Sequence, residues 1–263
     1  MPDDPLLITE RDACLWLTIN RPRQANALTL SLLDAIGEAL AGRRDDDRLR
    51  AAVITATGEK CFAAGGDLKE LDPLRSDAEA RAMSQRVRAA LDRIREFPLP
   101  VVAALNGLAL GGGAELALAC DLRVAMPQAQ IGFLQSQLNL TTAWGGGIDL
   151  VATVGHARAL DLLLSARRVG AEEALQIGLV NRVAGPEQSL DDCLDELLGS
   201  WRTRAPQVMR GFKALAAEYR RSLHVQLADG EEARFVEAWV HPDHWDAIDA
   251  AQAQRRKSRE GKS

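Results

Sequence analysis

The stretch NGLALGGGAELALACD, Asn106 to Asp121, sets three consecutive glycines directly before an apolar run that carries one carboxylate, Glu115, in its first turn. Glycine loses more conformational entropy on folding than any other residue, and each costs roughly 1 kcal/mol relative to alanine inside a helix. A compensating use is therefore expected. Gly-rich backbone that opens a helix leaves N–H groups unpaired at the positive end of the helix dipole, which suits a ligand that is negative or becomes so. Close helix packing is the plainer alternative for Gly111 to Gly113.

Working outward, VVAAL (Val101 to Leu105) reads as a strand before the glycines, Gly112 to Cys120 as a helix, and DLRVAM as the strand that follows. Upstream, AAVITA (Ala51 to Ala56) is a buried strand that runs into a second Gly-bearing loop, TGEKCFAAGGDLKEL. The periodicity then predicts an amphipathic helix over Ala78 to Phe97, stopped by Pro98 and Pro100. Leu6 to Ile8 and Cys14 to Ile19 read as strands around a turn at Glu10, Arg11 and Asp12, and NRPRQANAL breaks the pattern before a helix over Leu30 to Leu40. This is an α/β core with Gly-rich loops along one side, the kind of edge that ligand sites favour. From Leu190 onward LDDCLDELLGSWRTRA, PQVMRGFKALAAEYRRSL and HWDAIDAAQAQRRK read only as helices, so the expected organisation is an α/β core over 1–189 and a helical subdomain over 190–263.

Composition narrows the function classes. The 263 residues are 47% hydrophobic and 26% charged with a net charge of −5, which suits a soluble globular protein and argues against a general nucleic-acid or membrane-surface binder. The one basic cluster, QRRKSREGKS at the chain end, reads as a solvated helix end. Cys14, Cys61, Cys120 and Cys193 lie far apart with no CxxC pair, suggesting neither zinc nor a disulfide framework and fitting a reduced, cytoplasmic setting. MPDDPLLITERD has no apolar signal core, and no run approaches the ~20 residues needed to span a bilayer. GxSxG, GxxxxGK[ST] and HExxH are absent, and His241 and His244 flank a break between helices with no cysteine nearby, so no metal site is expected.

Together NRPRQANAL, CFAAGGDLKEL and NGLALGGGAELALACD resemble, in order and spacing, the enoyl-CoA hydratase/isomerase or crotonase family. ARRVGAEEALQIGLVNRV and PDHWDAIDA extend the resemblance, which runs from about Trp16 to Ala251. It implies a spiral of ββα units with a helical C-terminal subdomain, an acyl-CoA substrate of the kind met in fatty acid metabolism, no cofactor beyond the coenzyme A of the substrate, and a homotrimer or a hexamer of two trimers. In that family two backbone N–H donors, one from each Gly-rich loop, hold the enolate oxygen of the thioester. The matching residues are Gly66 and Gly112, and such fixed donors in a dry site can each supply roughly 3 kcal/mol of transition-state stabilisation. The resemblance also places Ala25, Ala64, Gly65, Asp67 and Leu68 along the adenine and pantetheine path. Lys60, Lys69 and Arg23 stand beside these loops as candidates for the CoA phosphates, or as ordinary solvated charges.

Two departures matter. Family hydratases use two glutamates; the first is Glu115, but the second position falls on Gln135, an amide that orients water and cannot shuttle a proton near neutral pH. Trp144 in LTTAWGGG replaces a residue that is small in hydratases and looks similar to the family's malonyl-type decarboxylases; a packing aromatic is the alternative. The expected activity is hydratase/isomerase-class (lyase or isomerase) chemistry on an acyl-CoA, with Glu115 as acid/base and Gln135 as polar positioner. Decarboxylation of a 2-alkylmalonyl-CoA is the first alternative, and a non-catalytic acyl-CoA-binding protein on the same fold the second.

Overall fold

The computed structural model describes residues 4–260, with side chains through Gln254. Strands β1 (Leu6–Arg11) and β2 (Cys14–Ile19) form an antiparallel hairpin, with Asp12 and Ala13 at positive φ in its turn. Helix α1 (Leu30–Ala41) begins where the Thr29 hydroxyl accepts the Leu32 N–H, and strand β3 (Ala51–Ala56) then pairs in parallel with β2.

After β3 the chain repeats one pattern: a strand in a large sheet, a short strand in a small one, then a helix. The repeats are β3, β4 (Cys61–Ala63), α2 (Leu68–Leu71) and α3 (Asp77–Arg95); β5 (Val101–Leu105), β6 (Leu108–Leu110) and α4 (Gly112–Ala119); and β7 (Leu122–Ala125), β8 (Gln130–Gly132) and α5 (Gly146–Val154). Ser76 and Glu79 form a reciprocal capping box that fixes the start of α3. The chain continues through α6 (His156–Ser165), β9 (Val169–Gly170), α7 (Ala171–Gln176) and β10 (Arg182–Val183). The large sheet runs β1-β2-β3-β5-β7-β10 and the small one β4-β6-β8-β9. This is the spiral of ββα units.

The Gly-bearing segment expected to be only a loop therefore contains β4 and α2. The small sheet escaped the sequence pattern because its strands are two or three residues long, too short to display an alternation. The inner strands of the large sheet, β2, β3, β5 and β7, are buried on both faces. Leu15, Leu17, Ile54, Ala103 and Leu105 enter the main core, whereas Trp16, Val53, Val102 and Ala104 face α8 (Leu190–Arg202), which covers them with Cys193, Leu194, Leu197 and Leu198.

The C-terminal helices are α8, α9 (Pro206–Val240) and α10 (Pro242–Glu260). Helix α9 is one unbroken element of 35 residues. Its inner face is seated by ion pairs: Lys213 Nζ lies 2.5 Å from Asp121, and Arg220 and His224 both reach Asp149 Oδ1, at 3.1 and 3.0 Å. Trp239 and Trp245 stand within one aromatic cluster with Phe235 and His244, and Trp239 Nε1 donates to Leu74 O at 2.6 Å. Of the basic tail, the backbone continues the helix to Glu260, but the side chains after Gln254 lie outside the described residues. All four cysteines are buried free thiols.

Candidate active site

Two glycine loops meet at the edge where the small sheet passes into α2 and α4. Gly65 takes φ +111°, and a methyl group on it would stand 3.7 Å from Gly112 N, so the loops adjoin through bare backbone. The first loop is tied to the NRPRQANAL segment: Ala64 N–H donates to Ala25 O at 3.1 Å, and Leu28 bridges to both sides of Gly66 by accepting from Asp67 N–H and donating to Gly65 O. Ala25 and Asn26 both sit at positive φ, and Asn26 offsets the cost by donating its buried amide to Thr57 O and Cys61 O. Ala25, Ala64, Gly65 and Leu68 thus lie on two segments that adjoin, with Lys60, Lys69 and Arg23 exposed. Asp67 departs in one respect: its carboxylate pairs with Arg21 at 2.8 Å and caps α2, so its side chain is already committed.

Among the described residues neither Gly66 N–H nor Gly112 N–H meets an acceptor. Gly112 opens α4, where no intrahelical partner exists for its N–H. The indole of Trp144 packs against both glycines. A methyl on Gly112 would come within 2.0 Å of Trp144 Cζ3, and one on Gly66 within 3.4 Å of Cη2, so only glycine at 112 tolerates this ring.

Glu115 lies one turn into α4 and is 2% exposed. Its Oε2 accepts from Trp144 N–H at 2.9 Å and Gly146 N–H at 3.0 Å, the latter at the start of α5; Oε1 accepts from Gln135 Nε2 at 2.9 Å. A Cβ on Gly146 would fall 2.2 Å from Glu115 Cγ, which explains the second glycine run, WGGG. Burial is the main force pushing the carboxyl up, to about 7; the negative Glu231 adds to it and the three donors work against it. A group poised near neutrality can both give and take a proton. Gln135 stands where the second acid was expected, and its Oε1 is buried with no partner among the described residues.

No motif in the chain marked what supports this turn. Ala143 O accepts from Ser84 Oγ at 2.8 Å and Arg88 Nη2 at 3.3 Å, and Trp144 O from Arg95 Nη2 at 2.9 Å. Arg95 also pairs with buried Asp149 at 2.9 Å. From α9, Glu231 Oε1 accepts the Thr142 hydroxyl at 2.7 Å and Gly147 N–H at 3.2 Å, while its Oε2 pairs with Arg88 at 2.8 Å. His244 is buried with Nδ1 on Leu138 O at 2.7 Å, and no group of three or more potential metal ligands occurs among the described residues.

Residues 9–250 match the family model described as enoyl-CoA hydratase/isomerase. The chain is 36% identical to crotonyl-CoA hydratase of Syntrophomonas wolfei over 218 residues, 83% of each chain, and 34% identical to YngF of Bacillus subtilis over 261 residues, 97% of this chain and 98% of that one. A solved enoyl-CoA hydratase of Bacillus anthracis superposes with a TM-score of 0.78 at 30% identity, covering 97% of each chain. A strand-and-helix spiral with two adjoining glycine loops beside a buried acid is thus the frame of a crotonase-superfamily enzyme. The chain belongs to the enoyl-CoA hydratase/isomerase family.

Proposed function

We propose that the protein holds an acyl-CoA thioester with its carbonyl oxygen between Gly66 N–H and Gly112 N–H, stabilises the enolate formed there, and uses Glu115 as its one acid/base. The observation that carries this reading is the conjunction of two unpaired backbone donors on adjoining loops with a buried carboxyl poised near neutrality. Charge developing on the oxygen meets donors already in place, and α4 adds the positive end of its dipole. The thioester and the backbone carry the electronic work, so the reading calls on no metal or redox cofactor. Ala25, Ala64, Gly65, Leu68 and the backbone of Asp67 line the CoA path, with Lys60, Lys69 and Arg23 for its phosphates. The Trp144 indole, against both donors, favours short acyl groups.

Within the family's chemistry, hydration or isomerisation of a short 2-enoyl-CoA comes first, as the relatives' names suggest. One specific observation favours a second reading, decarboxylation of a 2-alkylmalonyl-CoA: the partner of Glu115 is an amide. In that reaction the C–CO2 bond breaks, its electron pair passes into the enolate, and one proton from Glu115 completes the product, so one acid suffices. The test is a panel of enoyl, alkylmalonyl and β-hydroxyacyl thioesters followed by mass spectrometry. Gain of water, loss of CO2 and loss of water are distinct by mass, and a shifted double bond at unchanged mass, read by NMR, marks isomerisation; binding with the thioester recovered chemically unchanged in every case would leave a non-catalytic acyl-CoA-binding protein.

The proposal extends to assembly. Val208, Phe212, Leu215 and Tyr219 recur on one side of α9 and are exposed, Phe212 at 72%, which suits a trimer or a hexamer of two trimers. A monomer at micromolar concentration by light scattering would overturn this. No described helix is long and apolar enough to cross a membrane, and a cytoplasmic setting is proposed on the free thiols.

A further inference from the structure

We propose that Glu231, on the C-terminal helix α9, is a positioning residue for Glu115: it fixes the turn whose amides hold the catalytic carboxyl and sets a second negative charge beside it. The inference rests on the reading of Glu115 as the acid/base, and it adds a role for a residue that touches neither glycine loop.

The geometry is a pair of carboxyls on successive amides. Gly146 N–H donates to Glu115 Oε2 and Gly147 N–H to Glu231 Oε1, both at the opening of α5. The first turn of a helix favours negative charge, but two carboxylates on adjacent N–H groups repel, and burial weakens the screening between them. Glu231 is the better supported of the two as a charge, because Arg88 reaches its Oε2 and the Thr142 hydroxyl its Oε1, whereas Glu115 has only uncharged donors. The proton therefore belongs on Glu115.

The other charged groups around this pair are accounted for. Helix α3 supplies Arg88, engaged with Glu231, and Arg95, engaged with Asp149 and Asp92; α5 supplies Asp149; α9 supplies Arg220 and His224, both on Asp149 Oδ1. Gln135, from the segment after β8, brings no charge. Glu231 is also the second largest cause, after burial, of the raised affinity of Glu115 for its proton. A device follows from this. Seating the last third of α9 on the turn over 142–147 both closes that turn and sets the Glu231 charge beside the acid, so Glu115 holds its proton more tightly when the C-terminal helix is in place.

The test is a titration that needs no substrate: the carboxyl stretch of protonated Glu115, isolated by infrared difference between the protein and its Glu115→Gln variant, followed against pH. Glu231→Gln keeps the shape and both acceptor contacts of one oxygen but removes the charge. Its midpoint for Glu115 is expected to fall by about one pH unit, the lower end of what a nearby charge does. Arg88→Gln, which leaves Glu231 less compensated, is expected to move it upward. Opposite shifts support the proposal; a Glu231→Gln midpoint equal to that of the parent, in a protein with parental thermal melting, overturns it. Should Glu231→Gln fail to fold, the direction of the Arg88→Gln shift decides alone, and a fall or no change overturns the proposal. A protein that turns over no thioester of the panel would sink the enolate reading without touching this midpoint, so the two failures are separable.

Discussion

The first turn of helix α5 carries one buried carboxyl, Asp149, and its opening amide holds another, Glu115, and the two face opposite fates. Glu115 and Asp149 are 2% and 3% exposed, so burial raises the proton affinity of each. Glu115 meets three uncharged donors and a second carboxylate, and is left near neutrality at about 7; Asp149 meets Arg95, Arg220 and His224 and is held far below the ordinary carboxylate range. Burial does not decide whether a buried acid is a chemical or a structural group; the charge of its partners does. Asp149 joins α3, α5 and α9 into one frame, and Glu115, attached to that frame by neutral amides, is the group left free to exchange a proton.

The largest effect should come from breaking the structural side of this contrast. Asp149→Asn strips the fully buried negative partner from Arg95, which is itself 4% exposed, and leaves the guanidinium with only the half-exposed Asp92 carboxylate. Removing one member of a buried pair costs about 3–5 kcal/mol, and denaturant unfolding should report a loss of that order. A loss under ~1 kcal/mol would mean that Asp149 and Glu115 are not different in kind.

On the chemical side, Glu115→Gln should lower turnover at least ~100-fold with little change in thioester affinity, the scale for removing a positioned acid or base. An unchanged rate would take Glu115 out of the mechanism. The same variant separates the two acids by pH. Because the folded affinity of Glu115 for its proton is raised from 4.5 to about 7, the parent folds without penalty below pH 4.5 and loses stability as pH rises through 7. Glu115→Gln lacks this loss, so it should gain on the parent by about 2 kcal/mol between pH 5 and pH 8. The contribution of Asp149 has the opposite sense, present above 3.8 and lost as pH falls below it. Parallel stability curves for parent and variant across pH 5–8 would remove the basis for the contrast.

Much of this was legible in the chain. VVAAL and NGLALGGGAELALACD announced a strand-to-helix crossing with bare amides and a first-turn acid, and the structure places β5, Gly112 and Glu115 there, with the unread β6 between strand and helix. The periodic helices α1 and α3 came within two residues of their observed ends because caps and prolines punctuate them, and α4 did so because the glycine run marks its start. What sequence reading missed is non-local. The strands of the small sheet are defined by their neighbours rather than by a pattern, and α9 appeared only in its first half because its inner face is polar, with Lys213, Arg220, His224 and Glu231 where an apolar stripe would have marked a buried side. WGGG drew attention to Trp144, but the reason for the glycines, room for the Glu115 side chain, needed coordinates.

The smallest expected effect extends the contrast from buried charge to exposed charge. Lys60 and Lys69 lie exposed at the glycine-loop rim, where water and salt screen them, unlike the partners of Asp149. If they meet the CoA phosphates, Lys60→Ala and Lys69→Ala should each weaken CoA binding only about threefold by calorimetry, in line with the modest value of exposed ion pairs. The effect should shrink as ionic strength rises from low salt to 0.5 M, because the Debye length falls below the reach of the side chain. Turnover at saturating thioester should not change, since the proposed roles of Gly66, Gly112 and Glu115 call on neither lysine. A loss in the double variant that persists at high salt would mean a desolvated contact, and would move these lysines to the buried side of the comparison; no loss at low salt would leave them as solvated surface charges and send the search for the phosphate partner to Arg23.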